Sequence, residues 1–303
     1  MTGVTSRKET RSPMDRAAFT QLLIELRPSL HRYIARMTGS VVDGEDVLQD
    51  ALARALEAFL RAGPLDNPGG WVFRIAHNTT LDFLRRQARE RALPPEESPA
   101  MSNPAPGVEV RLALAASVRT FLRLPVAQRS SVLLMDVLGH SLEEIAGITG
   151  ATVPAVKAAL HRGRERLREL AAEPDDAPVP SMTSSERAAL EAYVHRFNAH
   201  DFDAVRNMLA EEVQLDLVAR TTMKGKREVQ TYFSNYDRTR DWHLGVGFVE
   251  GRPAILVSDP ARPEGQPRYF VLLSWDRGSL VHVRDFRYAA YAIEGAAVVR
   301  LQR

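Results

Sequence analysis

The sequence predicts a multidomain protein in which two all-α domains precede an α+β domain. Three observations carry this expectation. Apolar residues recur at three- and four-residue spacing over 16–91 and again over 108–172, the period of an amphipathic helix. Two stretches without periodicity interrupt the pattern, LPPEESPAMSNPAPG at 93–107 and EPDDAPVPSMT at 173–183, and their proline and small polar residues are linker composition. Beyond residue 184, helical segments give way to strand-like runs, the order expected of helices laid on one face of a curved sheet.

Bulk properties narrow the class. At 303 residues, two or three domains are expected. The formal net charge is only +2, from 40 Lys and Arg against 38 Asp and Glu, so any nucleic-acid contact must come from local basic clusters. The chain has no cysteine, which excludes disulfides, thiolate metal sites and cysteine nucleophiles and fits a reducing compartment. The histidines are scattered, and neither a metal nor another cofactor is expected. The opening MTGVTSRKETRSPMD lacks the apolar core of a signal peptide, and no stretch is apolar enough to span a bilayer. A cytoplasmic protein without a membrane partner is the resulting expectation.

The first helical domain, 15–92, carries two different charged faces. In the helix expected over 43–60, Val47, Leu48, Ala51, Leu52, Ala55, Leu56 and Phe59 form a wide apolar side, while Asp46, Asp50 and Glu57 fall elsewhere. An acidic stripe repels phosphate, so its natural partner is a basic protein surface. In the helix expected over 70–91, Trp71, Val72, Ile75, Ala76, Thr79 and Phe83 form the buried side. Arg74, Asn78, Asp82 and Arg86 recur every four residues on an exposed strip that continues into Arg85, Arg89 and Arg91. Cations suit phosphate, and Asn can bond a base edge. Trp71 is read as core rather than as a stacking platform.

The second helical domain, 108–172, contains a helix-turn-helix. Ser141 and Glu144 stand at capping-box spacing, and Leu142, Ile145 and Ala146 give a short first helix its apolar stripe. Gly150 permits the turn, Thr152 can cap the next helix, and Pro154 is tolerated in its first turn. Val156, Leu160 and Leu167 give that helix a buried side, with Lys157, His161, Arg162, Arg164, Arg166 and Arg168 around it. A short helix, a tight turn and a basic helix is how a major groove is entered.

In the last domain, 184–303, helices are expected over 185–199, 202–211 and 227–236, and strands over 213–218, 243–249, 254–258, 268–275 and 280–288. Asp201 is expected to cap a helix, Asp276 to sit in the turn Asp276-Arg277-Gly278, and His195 to be a core histidine. His282 and Arg284 alternate with Val281 and Val283 and so share one strand face. Asp216, Tyr232, His243, His282 and Asp285 are the candidates for proton chemistry, without a signature that pairs them.

DGEDVLQDALARALEAF, PGGWVFRIAHNTTLDFLRRQARER and LPVAQRSSVLLMDVLGHSLEEIAGITGATVPAVKAALHRGRERL, in this order, resemble the promoter-binding domains of bacterial sigma-70-type sigma factors of the small extracytoplasmic-function group. The resemblance covers residues 16–172. It implies that Asp46, Gln49 and Asp50 meet the β′ clamp helices of core RNA polymerase. It places Arg74, Asn78, Asp82, Arg85 and Arg86 near the melted −10 strand, and Thr152, Lys157, His161 and Arg162 at the −35 element of promoter DNA. Many relatives carry Ser-Arg after that lysine, whereas this chain has Ala158-Ala159, whose methyls can touch thymine but cannot bond guanine. Residues 184–303 resemble SnoaL-like domains of the cone-shaped superfamily that includes ketosteroid isomerase. That resemblance implies a regulatory domain, which docks on the sigma domains or holds a small ligand in place of a separate anti-sigma partner. Two other readings remain open at this point. One is a one-component helix-turn-helix regulator with a ligand sensor; the other is a ketosteroid-isomerase-like enzyme with a helical targeting module.

Overall fold

A computed structural model describes residues 14–91, 118–172, 180–236 and 241–301. The expected linker 93–107, the start of the second helical domain and residues 173–179 of the second linker lie outside these ranges.

The first domain is three helices: α1 (Arg16–Thr38), α2 (Val41–Phe59) and α3 (Pro68–Arg91). Asp15 caps α1 by accepting from the Ala18 N–H at 2.7 Å, and Ser40 caps α2 by accepting from Asp43. Gly39 ends α1 in the left-handed conformation (φ 81°), where a side chain is strained and glycine is not. The second domain contains α4 (Val118–Leu122), α5 (Val126–Val132) running on into a π turn (Leu133–Val137), α6 (Leu142–Thr149) and α7 (Val153–Ala172). Ser141 and Glu144 form the expected reciprocal capping box, and Gly150 (φ 73°) makes the turn between α6 and α7.

The two helical domains share one buried cluster. Phe19, Leu30, Tyr33, Ile34, Leu48 and Val72 from the first meet Phe121, Leu124 and Leu133 from the second. Arg129 of α5 is buried at this junction and donates to the carbonyls of Met37, Leu122 and Leu124. The free carbonyl end of α1 suits that cation through the helix dipole. Phe73 of α3 packs edge-on against His140, ring centroids 4.8 Å apart.

The third domain opens with α8 (Ser184–Asn198) and α9 (Phe202–Asn207), then β1 (Leu209–Leu217), β2 (Thr221–Lys224) and α10 (Lys226–Tyr236). Strands β3 (His243–Val249), β4 (Arg252–Ser258), β5 (Tyr269–Asp276), β6 (Ser279–Asp285) and β7 (Val298–Arg300) complete it, with a 3-10 turn at Ala290–Ile293. The strand order is β2-β1-β6-β5-β4-β3-β7, antiparallel except between β1 and β6. The α+β expectation holds, with three local differences, the first being that the strand expected over 280–288 ends at Asp285. The helix expected over 202–211 stops at Asn207, and the short strands β2 and β7 join the sheet. Asp201 caps α9, and Arg277 and Gly278, both at positive φ, make the β5–β6 turn.

Alternation divides the sheet into two faces. Val213, Leu215, Leu217, Val283 and Asp285 turn toward the helices, where Phe197, Phe202, Phe233, Tyr236 and Trp242 fill the interior with edge-to-face rings. Gln214, Asp216, His282 and Arg284 occupy the other face. Three residues of the first domain, Ala35, Val41 and Val42, belong to the apolar core of the third.

Candidate functional site

The acidic face of α2 meets a basic partner inside its own chain. Asp46 is held by both terminal nitrogens of Arg284 on β6, one of them at 3.3 Å. Such a paired fork is the strongest form of a carboxylate contact. Gln49, one turn on, lines the same cleft, together with Arg27, Asp216, Arg220 and His282. Asp50 is turned away and is paired with Arg54 at 2.9 Å on its own helix.

The rest of the contact explains why the third domain settles here. Glu250 sits on the β3–β4 turn with φ 53° and accepts the Val41 N–H at 2.9 Å. A carboxylate at the first turn of α2 satisfies an orphan backbone donor and complements the helix dipole. Burial pushes its pKa upward, against the pull of the backbone bond. Arg252 pairs with Asp43 at 3.1 Å, and Arg32 with Glu294 at 2.7 Å. Between them lies a buried group: Glu45 is fully enclosed, accepts from Arg27, and accepts the Tyr291 hydroxyl at 3.0 Å. Arg27 in turn donates to that hydroxyl at 2.6 Å. Glu45, Arg27, Tyr291, Glu250 and Arg284 drew no attention in the sequence as a site. Apart from the Arg27–Glu45 pair within the first domain, their partners lie more than 200 residues away in the other domain, and no local pattern links them; the sole hint was an acidic stripe in search of a basic surface.

The strip on α3 is free of the third domain. Arg74, Asn78, Asp82, Arg85 and Arg86 are all exposed, as the four-residue spacing predicts. Asp82 bonds Arg85 at 3.2 Å and lies 3.6 Å from Arg54. Trp71 packs edge-on against Phe19 at 6.0 Å, in agreement with its reading as core, and Phe73 is buried too.

At the start of α7 and along it, Thr152, Lys157, His161 and Arg162 are all exposed. The basic surface is smaller than the sequence suggests. Arg164 is committed to the buried Asp136 through two bonds of 2.9 and 2.5 Å, and Arg166 pairs with Glu169 at 2.6 Å. Ala159 is buried, so of the Ala158-Ala159 pair only Ala158 offers a methyl to a groove. Thr152 does cap α7, accepting from Ala155 at 3.4 Å.

The candidates for proton chemistry separate. Asp216 and His282 meet on the outer face at 2.7 Å, and Asp216 also accepts from Gln214 and Thr222, each at 3.0 Å. These bonds hold its carboxyl below the usual range despite partial burial. Tyr232 and Asp285 meet on the inner face at 2.5 Å. Asp285 is fully buried, which raises its pKa, and its acceptors are taken by Tyr232, Tyr236 and the Arg287 N–H. His243 stands apart on β3. Opposite faces of one sheet cannot make one active site. His195 is exposed rather than in the core, because Tyr193, Val194 and Phe197 take the inward positions of α8.

Comparison with known proteins gives this arrangement its class. Residues 22–90 match the Sigma-70 region 2 family and residues 118–167 the Sigma-70 region 4 family. Two such helical units in this order define a promoter-recognition protein of the sigma-70 type. The chain is 35% identical over 160 residues to the ECF RNA polymerase sigma factor SigM of Mycobacterium tuberculosis, covering 52% of this chain and 78% of SigM. It is 29% identical over 234 residues to SigG of the same organism, covering 67% of this chain and 62% of SigG. A crystal structure of the sigma factor SigJ, also from M. tuberculosis, is similar at 17% identity with a TM-score of 0.35, over 88% of this chain and 95% of that one. The chain belongs to the extracytoplasmic-function (ECF) family of RNA polymerase sigma factors. It is therefore an alternative sigma factor, a DNA-binding transcription factor that directs promoter recognition. No helix among the described residues is long and apolar enough to cross a membrane.

Proposed function

We propose that the C-terminal domain is a built-in regulator that holds this sigma factor closed by occupying the helix meant for core polymerase. The observation that carries this reading is Arg284 on Asp46. In the family arrangement, Asp46, Gln49 and Asp50 meet the basic β′ clamp helices; here Arg284 supplies the opposite charge from within the chain, and Gln49 faces the same cleft. A single carboxylate cannot serve both partners, so docking and polymerase binding compete. Arg74, Asn78, Asp82, Arg85 and Arg86 contact the −10 strand, and Thr152, Lys157, His161 and Arg162 the −35 element. Both sets stay exposed, so the masking falls on the polymerase side. The third domain acts without catalysis in this reading, since its proton-transfer candidates are split across the sheet and Asp285 is sealed. No separate anti-sigma protein is needed for the closed state, because the masking surface is covalently attached and hence at high effective concentration.

The test weakens docking without removing the domain. Arg252→Ala combined with Arg284→Ala in the full-length chain should tighten core-polymerase binding by about fivefold or more, the lower end of an ordinary coupling free energy. Promoter-directed transcription should rise in parallel. Equal core affinity for wild type and double variant, with both correctly folded, would refute the masking.

A further inference from the structure

The cleft between α2 and the outer sheet face has a volume of about 620 Å³, and its chemistry is polar. The third domain contributes three basic side chains to it, Arg220, His282 and Arg284, and one carboxylate, Asp216, whose charge is taken up by His282, Gln214 and Thr222. Arg220 projects from the β1–β2 turn, where Ala219 holds a left-handed conformation (φ 66°), and stacks 4.3 Å over Tyr288. His282 is oriented through Nε2 by Asp216. Arg284 is only 15% exposed, yet its fork points out of the domain at a carboxylate that is itself 56% exposed. A recessed guanidinium facing an accessible carboxylate describes a receptor with a displaceable occupant.

We propose that Arg220, His282 and Arg284 form an anion site of the third domain, filled in the closed protein by Asp46, and that a small multivalent oxyanion competes with Asp46 for it. The shared ligand chemistry is a phosphate or a compact polycarboxylate, whose planar oxygen pairs match the guanidinium fork. Such an anion binds the site once Asp46 has left. By linkage it favours the undocked state and frees α2 for polymerase. The inference rests on the masking described above and adds the chemical class of the signal. It also moves the ligand site from the cone interior, which aromatic rings fill, to the domain interface.

Two measurements on the full-length protein test it, with inorganic phosphate and malonate as probes and ionic strength held constant with chloride. Direct titration should show saturable binding of at least one probe. Asp46→Asn, which removes the internal competitor's charge, should tighten that binding by about two- to fivefold, the range expected for a partly exposed ion pair. The same probe should strengthen core-polymerase binding by wild type, and the effect should vanish in Arg284→Ala. Response to phosphate alone identifies a phosphate ligand, and response to malonate as well extends the class to carboxylates. No binding of either probe, unchanged affinity in Asp46→Asn, or an equal response in Arg284→Ala each overturns the anion site. Failure of the masking itself is distinguishable, because Arg284→Ala would then leave core affinity at the wild-type value with no anion present.

Discussion

His77 shows how a single buried side chain sets a pH limit on the promoter-binding half. It is almost wholly enclosed, with its Nδ1 2.6 Å from the Tyr33 hydroxyl oxygen, and enclosure away from water favours the neutral ring. Burial, with Arg85 nearby as a lesser cause, depresses its pKa to about 4. Burial lowers the pKa of His31 in the same sense, with its Nε2 at 2.9 Å from the Val41 carbonyl. A histidine whose folded pKa lies below its unfolded value binds more protons when unfolded, so stability falls as pH drops. The window for His77 runs from about pH 6.5, the free imidazole value, down to about 4, and spans roughly 3 kcal/mol. Urea unfolding across that range should show the decline, and His77→Phe should flatten it. The same variant should cost about 1–3 kcal/mol at pH 7, because it strands the Tyr33 hydroxyl. A slope left unchanged in His77→Phe would assign the acid sensitivity elsewhere.

At the scale of elements, the closure of the two sigma domains on each other hinges on the end of α1. A β-carbon on Gly39 would fall 2.2 Å from Leu122 of the second domain, and the φ of 81° is strained for any other residue. Gly39→Ala should therefore loosen α4 and α5 from α1 and increase proteolysis between the domains, while the helical content of each persists. A protection pattern identical to wild type would show that the contact gives way freely. The recognition helix allows a prediction of a different kind. Lys157 is exposed and belongs to the reduced basic set of α7, so Lys157→Ala should weaken promoter binding and lower the salt slope by about one counterion. A salt titration that superimposes on wild type would remove Lys157 from the phosphate contacts. Much of this level was legible in the sequence: α2, α3, α6 and α7 follow from 3.6-residue periodicity, and α6 and α7 also from their caps. The strands β2 and β7 were not, because three or four residues carry too little alternation to stand out. The α9–β1 boundary was misplaced because Leu209 and Val213 fit a helical spacing as well as the inward positions of a strand. The acidic face of α2 was visible as a pattern, but its partner was not. Arg284 looks like any alternating strand residue until the sheet places it against Asp46.

At the scale of the whole molecule, the closed arrangement and promoter reading are geometrically incompatible. The −10 and −35 elements lie about 25 base pairs apart, roughly 85 Å along B-form DNA. Here the two sigma domains share one core cluster, with Phe73 and His140 ring centroids 4.8 Å apart. Domains in such contact cannot sit on both elements at once. Opening must break the Arg129 clasp and expose Phe73, costs that core polymerase can offset only by binding the open state more tightly. The absence of native cysteine makes the opening directly measurable, since two introduced thiols are the only labelling sites. Glu25→Cys on α1 and Glu143→Cys on α6 replace exposed side chains, one on each sigma domain. Energy transfer between dyes at these positions should be high in the free protein and fall sharply on addition of core polymerase and promoter DNA. In Arg252→Ala combined with Arg284→Ala it should stay high until polymerase is added, because those residues hold the third domain and not the sigma–sigma contact. Transfer that stays high in the promoter complex would mean that only one sigma domain engages its element.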